Sequence, residues 1–121
     1  MAKILIVDSS TFMRGSLKFI LEHFGNEVVG STDTGLKALE LCADLKPNLM
    51  IIEISLREGM DGISTIKELR KLDKKILTVV TFAPGEEELV EQAKTAGASG
   101  QISKPFLPKD ISQELGRILK K

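Results

Sequence analysis

Four side chains in this sequence have the means to handle an anion or a cation: the carboxylates of Asp8 and Glu53, the hydroxyl of Thr81 and the ammonium of Lys104. Each stands at the end of a short run rich in Ile and Val, or just after one. Paired carboxylates suit a hard divalent cation, and a hydroxyl with an ammonium suits phosphoryl oxygens. Gathered at one place, the four look like a remnant of phosphoryl or metal chemistry. Taken singly, each has a plainer role: Asp8 with Ser9 can cap a helix, Thr81 can end a strand, and Lys104 can neutralise a carboxylate. The choice depends on whether the fold brings them to one rim.

Apolar spacing predicts the elements that must position them. Residues 3–7, about 27–31, 49–54, 76–81 and 100–103 are strands, and the first, third and fourth are nearly continuous apolar runs, as parallel strands covered on both faces require. Helical spacing joins Met13, Leu17, Ile20, Leu21 and Phe24, then Leu36, Leu39 and Ala43, then Ile63, Ile66 and Leu69, then Leu89, Ala93 and Ala96, then Ile111, Leu115, Ile118 and Leu119. Gly25 and Gly97 are stop signals, Pro84-Gly85 breaks the chain after strand four, and Glu86-Glu87-Glu88 reads as a solvated helix start. Five βα pairs with right-handed crossovers give an α/β class: a flavodoxin-like, doubly wound (βα)5 sandwich with a parallel five-stranded sheet in the order 2-1-3-4-5. Ligands collect beyond the carboxyl ends of such strands, near the switch between strands one and three. Asp8, Glu53, Thr81 and Lys104 are therefore expected to converge there.

Composition removes several classes of function. The 121 residues make one domain, expected over 1–121, and no linker, repeat or low-complexity tract divides them. Lys and Arg number 17 against 17 Asp and Glu, so the overall balance implies neither a nucleic-acid nor an anionic-membrane surface. One Cys excludes an internal disulfide, and the chain enters Lys3-Ile4-Leu5-Ile6-Val7 without a leader pattern, so a cytoplasmic protein is expected. With no Trp or Tyr and 5 Phe, a stacking platform for bases or flavin is poorly supplied. His23, the one histidine, near the end of helix one, reads as facing solvent or interacting with the helix terminus; Cys42 fills core space; the positive stretch from Arg70 to Lys75 suits a helix end.

Ile4-Leu5-Ile6-Val7-Asp8-Ser9-Ser10-Thr11-Phe12-Met13-Arg14, Met60-Asp61-Gly62, Thr81, Ala96-Gly97-Ala98 and Lys104-Pro105-Phe106 together carry a resemblance that covers essentially the whole chain. The sequence resembles the receiver domain of two-component response regulators. That resemblance implies an acidic pair after strand one and an Asp ending strand three, which hold Mg²⁺, the Asp taking a phosphoryl group from a histidine kinase. It implies that Asp8 is the first of the acidic pair, that Ser55, Thr81, Phe82 and Lys104 line the phosphoryl pocket, that Gln101 stands at the aromatic switch position, and that the Lys104-Pro105 peptide is cis. Here Ser9 replaces the second acid and Glu53 the phosphoacceptor Asp. Phe82 stands where most receivers have a small residue, so access should be hindered, and the loop 54–62 lacks the family's Pro and is one residue longer.

These departures share one direction. Mg²⁺ demands near-octahedral oxygen geometry at about 2.0 to 2.1 Å, so losing one carboxylate and moving another weakens it greatly. Glu53 reaches about 1.5 Å further than Asp would, toward Lys104, which predicts a standing ion pair. Such a pair mimics a phosphoryl group only in part, since phosphoryl carries roughly 1.5 to 2 negative charges. The reading is a stand-alone pseudo-receiver, not an enzyme, with no metal or cofactor. It binds a protein through the helix 4, strand 5 and helix 5 face, including Lys94, Gln101, Phe106 and Lys109, and no output domain is expected after Lys121. The alternatives are a working receiver phosphorylated by a histidine kinase, with Mg²⁺, and a flavin-mononucleotide binder using Ser9-Ser10-Thr11 as a phosphate cradle. A small phosphatase with Asp8 as nucleophile lacks a second carboxylate and a cap.

Overall fold

The computed structural model describes residues 2–119. Ten elements alternate along them: β1 (Lys3–Val7), α1 (Thr11–His23), β2 (Glu27–Thr32), α2 (Gly35–Leu45), β3 (Leu49–Glu53), α3 (Gly62–Leu72), β4 (Leu77–Phe82), α4 (Glu87–Ala96), β5 (Gly100–Ser103) and α5 (Pro108–Leu119). The strands form one parallel sheet in the order β2-β1-β3-β4-β5, with flavodoxin-like topology. Strand alternation divides the core in two. Ile4, Ile6, Leu49, Ile51, Val79 and Ile102 pack with Leu17, Ile20 and Leu21 of α1 and with Ile111 and Leu115 of α5. Leu5, Val7, Met50, Ile52 and Val80 pack on the other side with residues of α2, α3 and α4.

Strand ends shift by one residue from the apolar runs. β3 stops at Glu53, one short of the predicted 54, and β4 runs Leu77–Phe82 rather than 76–81. Register then sets Glu53 directly beside Thr81. A larger correction falls on α2. Apolar spacing selects Leu36, Leu39 and Ala43; of these Leu39 packs against the core, but Ala43 is exposed and Leu36 is 63% exposed, and the fully buried residues are Gly35, Ala38 and Cys42. Small side chains let α2 approach α3 closely: a Cβ on Gly35 would collide with the Thr65 hydroxyl. Close packing of backbones thus outweighs the larger apolar area of Leu36. Phe24 is likewise 45% exposed, because it is the C-cap of α1 and lies beyond the helical stripe.

The start of α3 is held against the end of β3. Gly62 N–H donates to the Ile54 carbonyl at 3.0 Å, and a Cβ at Gly62 would collide with the Glu53 carbonyl and lie 2.9 Å from Ile54 Cα. Asp61 caps the helix, its carboxylate accepting from Ser64 N–H at 2.8 Å. This turn fixes the backbone from which Glu53 projects.

Candidate functional site

The site residues share one side of the sheet for a simple reason. Asp8, Glu53, Thr81 and Lys104 each stand two positions after a residue of the core on the α1 and α5 side, namely Ile6, Ile51, Val79 and Ile102. A period of two therefore sends all four to that side at the carboxyl rim.

Lys104 Nζ is the centre of the group, 3.1 Å from Asp8 Oδ2 and 3.0 Å from Glu53 Oε2. The remaining carboxylate oxygens are also engaged. Asp8 Oδ1 accepts from Ser10 N–H at 2.8 Å, and Glu53 Oε1 accepts from Ser9 N–H at 2.9 Å. Ser9 Oγ accepts in turn from Arg57 N–H at 3.0 Å, tying the loop after β3 to the loop after β1. Arg14 reaches back from α1 to donate to the Asp8 carbonyl at 2.6 Å. Neither Asp8 nor Ser9 caps α1: Ser10 does, its hydroxyl accepting from Met13 N–H at 3.2 Å. The Lys104-Pro105 peptide is cis.

Burial opposes the charge on Glu53, but the Ser9 N–H and the Lys104 ammonium hold its carboxyl below the ordinary range. Burial likewise opposes the charge on Lys104, and the hydrogen bonds and charges of Glu53 and Asp8 push it above the ordinary lysine value. Two carboxylates on one ammonium leave a formal charge of −1.

The other predicted positions make no hydrogen bond to the Lys104 cluster. Thr81 is buried beside Glu53, and its hydroxyl has no hydrogen-bond partner in the protein. Ser55 turns away and donates its hydroxyl to Glu86 Oε2 at 2.6 Å. The Phe82 ring, expected to crowd the mouth, is nine-tenths buried in the core beneath α2, α3 and α4. It sits on the opposite face of β4 from Thr81, because the two are adjacent in a strand. Gln101 gives its backbone N–H to Glu114 Oε2 at 2.8 Å, while its side-chain oxygen is buried without a partner. His23 is exposed, and Cys42 is buried with its thiol pushed up to about 11, burial being the main cause.

Glu114 is a neighbouring residue that sequence reasoning does not single out, and the contacts made by Ser10, Arg14 and Glu86 are not foreseen by the motifs that contain them. Ser10 alone carries a readable signal, a hydroxyl placed directly before the first helical residue. A cavity of about 640 Å³ opens at the opposite end of the sheet among Ala2, Asn26, Lys46, Asp73 and Lys75. Beside the cluster lies a smaller hollow of about 250 Å³, bordered by Ser9, Asp33, Arg57 and Glu58.

The sequence profile of the response regulator receiver domain matches residues 4–116. The chain is similar to chemotaxis protein CheY of Thermotoga maritima, 38% identical over 118 residues covering 98% of each chain. It is also similar to chemotaxis protein CheY of Bacillus subtilis, 35% identical over 117 residues and 97% of each. Among solved structures, a protein of Chloroflexus aurantiacus described as a response regulator matches with a TM-score of 0.91 at 27% identity, covering 99% of this chain and 98% of that one.

Proposed function

This chain belongs to the response regulator receiver domain family, a family of two-component signalling modules, and on that premise we propose that it acts by binding a protein partner without phosphorylation at residue 53. The observation that carries the reading is the state of Glu53. Both of its carboxylate oxygens already have donors, Oε2 from Lys104 and Oε1 from Ser9 N–H. Those two bonds draw charge from the carboxylate and fix its orientation, which makes it a weaker nucleophile toward a phosphodonor even though each oxygen keeps a lone pair.

The family resemblance also implies Mg²⁺, and the donor set does not suit it. Asp8 and Glu53 both spend an oxygen on the same ammonium, the position of a further acid is Ser9, and the Ser9 hydroxyl accepts from Arg57 N–H. Among the described residues, no group of three or more His, Cys, Asp or Glu side chains gathers for a metal. Hard cations of this size favour several anionic oxygens in a fixed octahedron.

The module is a signalling partner rather than an enzyme, with a kinase or effector protein as its contact and the cytoplasm as its compartment. No helix among the described residues is long and apolar enough to cross a membrane. The α4, β5 and α5 face offers Lys94 and Lys109 as exposed cations, with Gln101 and Phe106 half-buried. Phe106 packs against the core on the α1 and α5 side and so gives that face less apolar surface than its type suggests.

One observation favours a second reading, a receiver still phosphorylated by a histidine kinase: the buried Thr81 hydroxyl beside Glu53 has no partner. The same experiment separates the two. Incubation with Mg²⁺ and a small acyl phosphate, followed by intact mass measurement, should leave the mass unchanged. A gain of one phosphate that disappears in Glu53→Gln would establish the second reading and remove the first.

A further inference from the structure

The acidic run before α4 is not uniform. Glu87 and Glu88 lie in the first turn, exposed, where negative charge suits the helix dipole. Glu86 is the N-cap residue, yet its side chain makes no capping bond to its own helix. Its carboxylate spans two loops instead. Oε1 accepts from Ala83 N–H at 2.8 Å, and Oε2 accepts from the Ser55 hydroxyl at 2.6 Å. Ala83 is two residues past Thr81, and Ser55 is two residues past Glu53. The two strands they leave are neighbours in the sheet. A bond of 2.6 Å to a carboxylate falls in the range of the stronger, charge-assisted kind.

We propose that Glu86 is a positioning residue: its carboxylate latches the loop leaving β3 to the start of α4, so that the packing around Glu53 fixes the placement of α4. Three links form a continuous chain. Glu53 is bound to Lys104 and Ser9, the backbone two residues later carries Ser55, and the Ser55 hydroxyl holds the residue from which α4 begins. The first helical bonds of α4, from Leu89 N–H at 3.0 Å and Val90 N–H at 3.3 Å, both run to the Glu86 carbonyl. Holding Glu86 therefore holds the first turn. The significance of α4 for a partner rests on the reading above; the latch itself does not.

Amide hydrogen exchange of the full chain, without phosphodonor or metal, tests the latch. Ser55→Ala removes the hydroxyl and leaves the backbone intact. Exchange should quicken about fivefold or more, the change expected for a lost hydrogen bond, both near residue 55 and across residues 83–90. Ser55→Thr restores a hydroxyl and should return both segments toward the wild-type rates, while β1 and α5 stay unchanged in all three proteins. Glu86→Gln keeps the size but leaves one acceptor oxygen for two donors, so it should quicken the same two segments. Wild-type exchange across 83–90 in both Ser55→Ala and Glu86→Gln would overturn the latch. A phosphate adduct in the mass experiment would remove the phosphorylation-independent reading and leave these rates to be judged on their own.

Discussion

Replacing Lys104 with Met keeps most of the side-chain length and removes the charge, leaving the Asp8 and Glu53 carboxylates around an apolar thioether. In the native protein the Lys104, Asp8 and Glu53 side chains are 15%, 3% and 18% exposed. Removing one partner of a buried pair costs about 3–5 kcal/mol. Two features lower that figure here: the cluster is not fully dry, and both carboxylates keep backbone donors from Ser10 and Ser9. A loss of about 2 kcal/mol at neutral pH follows. Its pH dependence is the sharper test. The Glu53 carboxyl is held below its ordinary range, despite burial, by Ser9 and Lys104. Its contribution is therefore present above the ordinary carboxylate range and is lost as pH falls through the depressed value. Lys104 is raised against burial by Glu53 and Asp8, so its contribution is present below the ordinary lysine range and is lost as pH rises through the raised value. In the variant, two unpaired carboxylates repel and Glu53 takes up a proton closer to neutrality. The stability gap should therefore close between about pH 7 and about pH 4, where protonated carboxyls need no counter-ion. Urea midpoints of both proteins across that range measure it. A gap that stays constant would show that Lys104 contributes through its aliphatic stem and refute the charge argument.

Glu114→Ala removes the acceptor for the Gln101 N–H on the edge strand, and should cost about 1 kcal/mol by urea unfolding. Arg117 first, against burial, and the Gln101 N–H hold the Glu114 carboxyl low, so the difference from wild type should fade as pH drops through its depressed value. Ser9→Asp with Glu53→Asp should together bring Mn²⁺ binding, read by water proton relaxation, where each change alone brings less. Silence from the double variant would place the obstacle in the backbone of the loop after β3.

The strands were legible because burial on both faces removes polar residues from them, so β1, β3 and β4 are almost uninterrupted apolar runs. The convergence of Asp8, Glu53, Thr81 and Lys104 was legible for a related reason: their distance of two from buried neighbours is local information. The face of α2 was not. Leu36 outranks Gly35 and Ala38 on any apolar scale, yet it is exposed while Leu39 packs at the edge of the core, and the close approach of Thr65 on α3 sets the small residues inward. Glu86 was hidden by separation: its partner Ser55 lies 31 residues away, and no periodicity links the two. Phe82 shows a limit of analogy by position. Its place after Thr81 suggests the mouth of the site, while the alternation of β4 and the space under α4 draw the ring into the core.

Ser9 and Glu53 are better understood as one change than as two. With an Asp at position 53 the carboxylate would end about 1.5 Å sooner, short of the Ser9 N–H that Glu53 Oε1 now reaches at 2.9 Å. With an acid at position 9, a third negative charge would face a single ammonium in a largely buried cluster, and like charges at that range raise each other's pKa or part. The donor to Glu53 is the backbone N–H of residue 9, which any residue but Pro supplies; what Ser9 adds is the absence of a charge beside it and a hydroxyl that accepts from the Arg57 N–H. The outcome is a set of four carboxylate oxygens, each with a donor supplied by the chain itself. A ligand can shift a two-state equilibrium only by its differential affinity for the two states. A donor set supplied by the chain is present at all times and adds the same bias at any phosphodonor concentration, so on the proposed reading partner binding is expected not to depend on the phosphodonor.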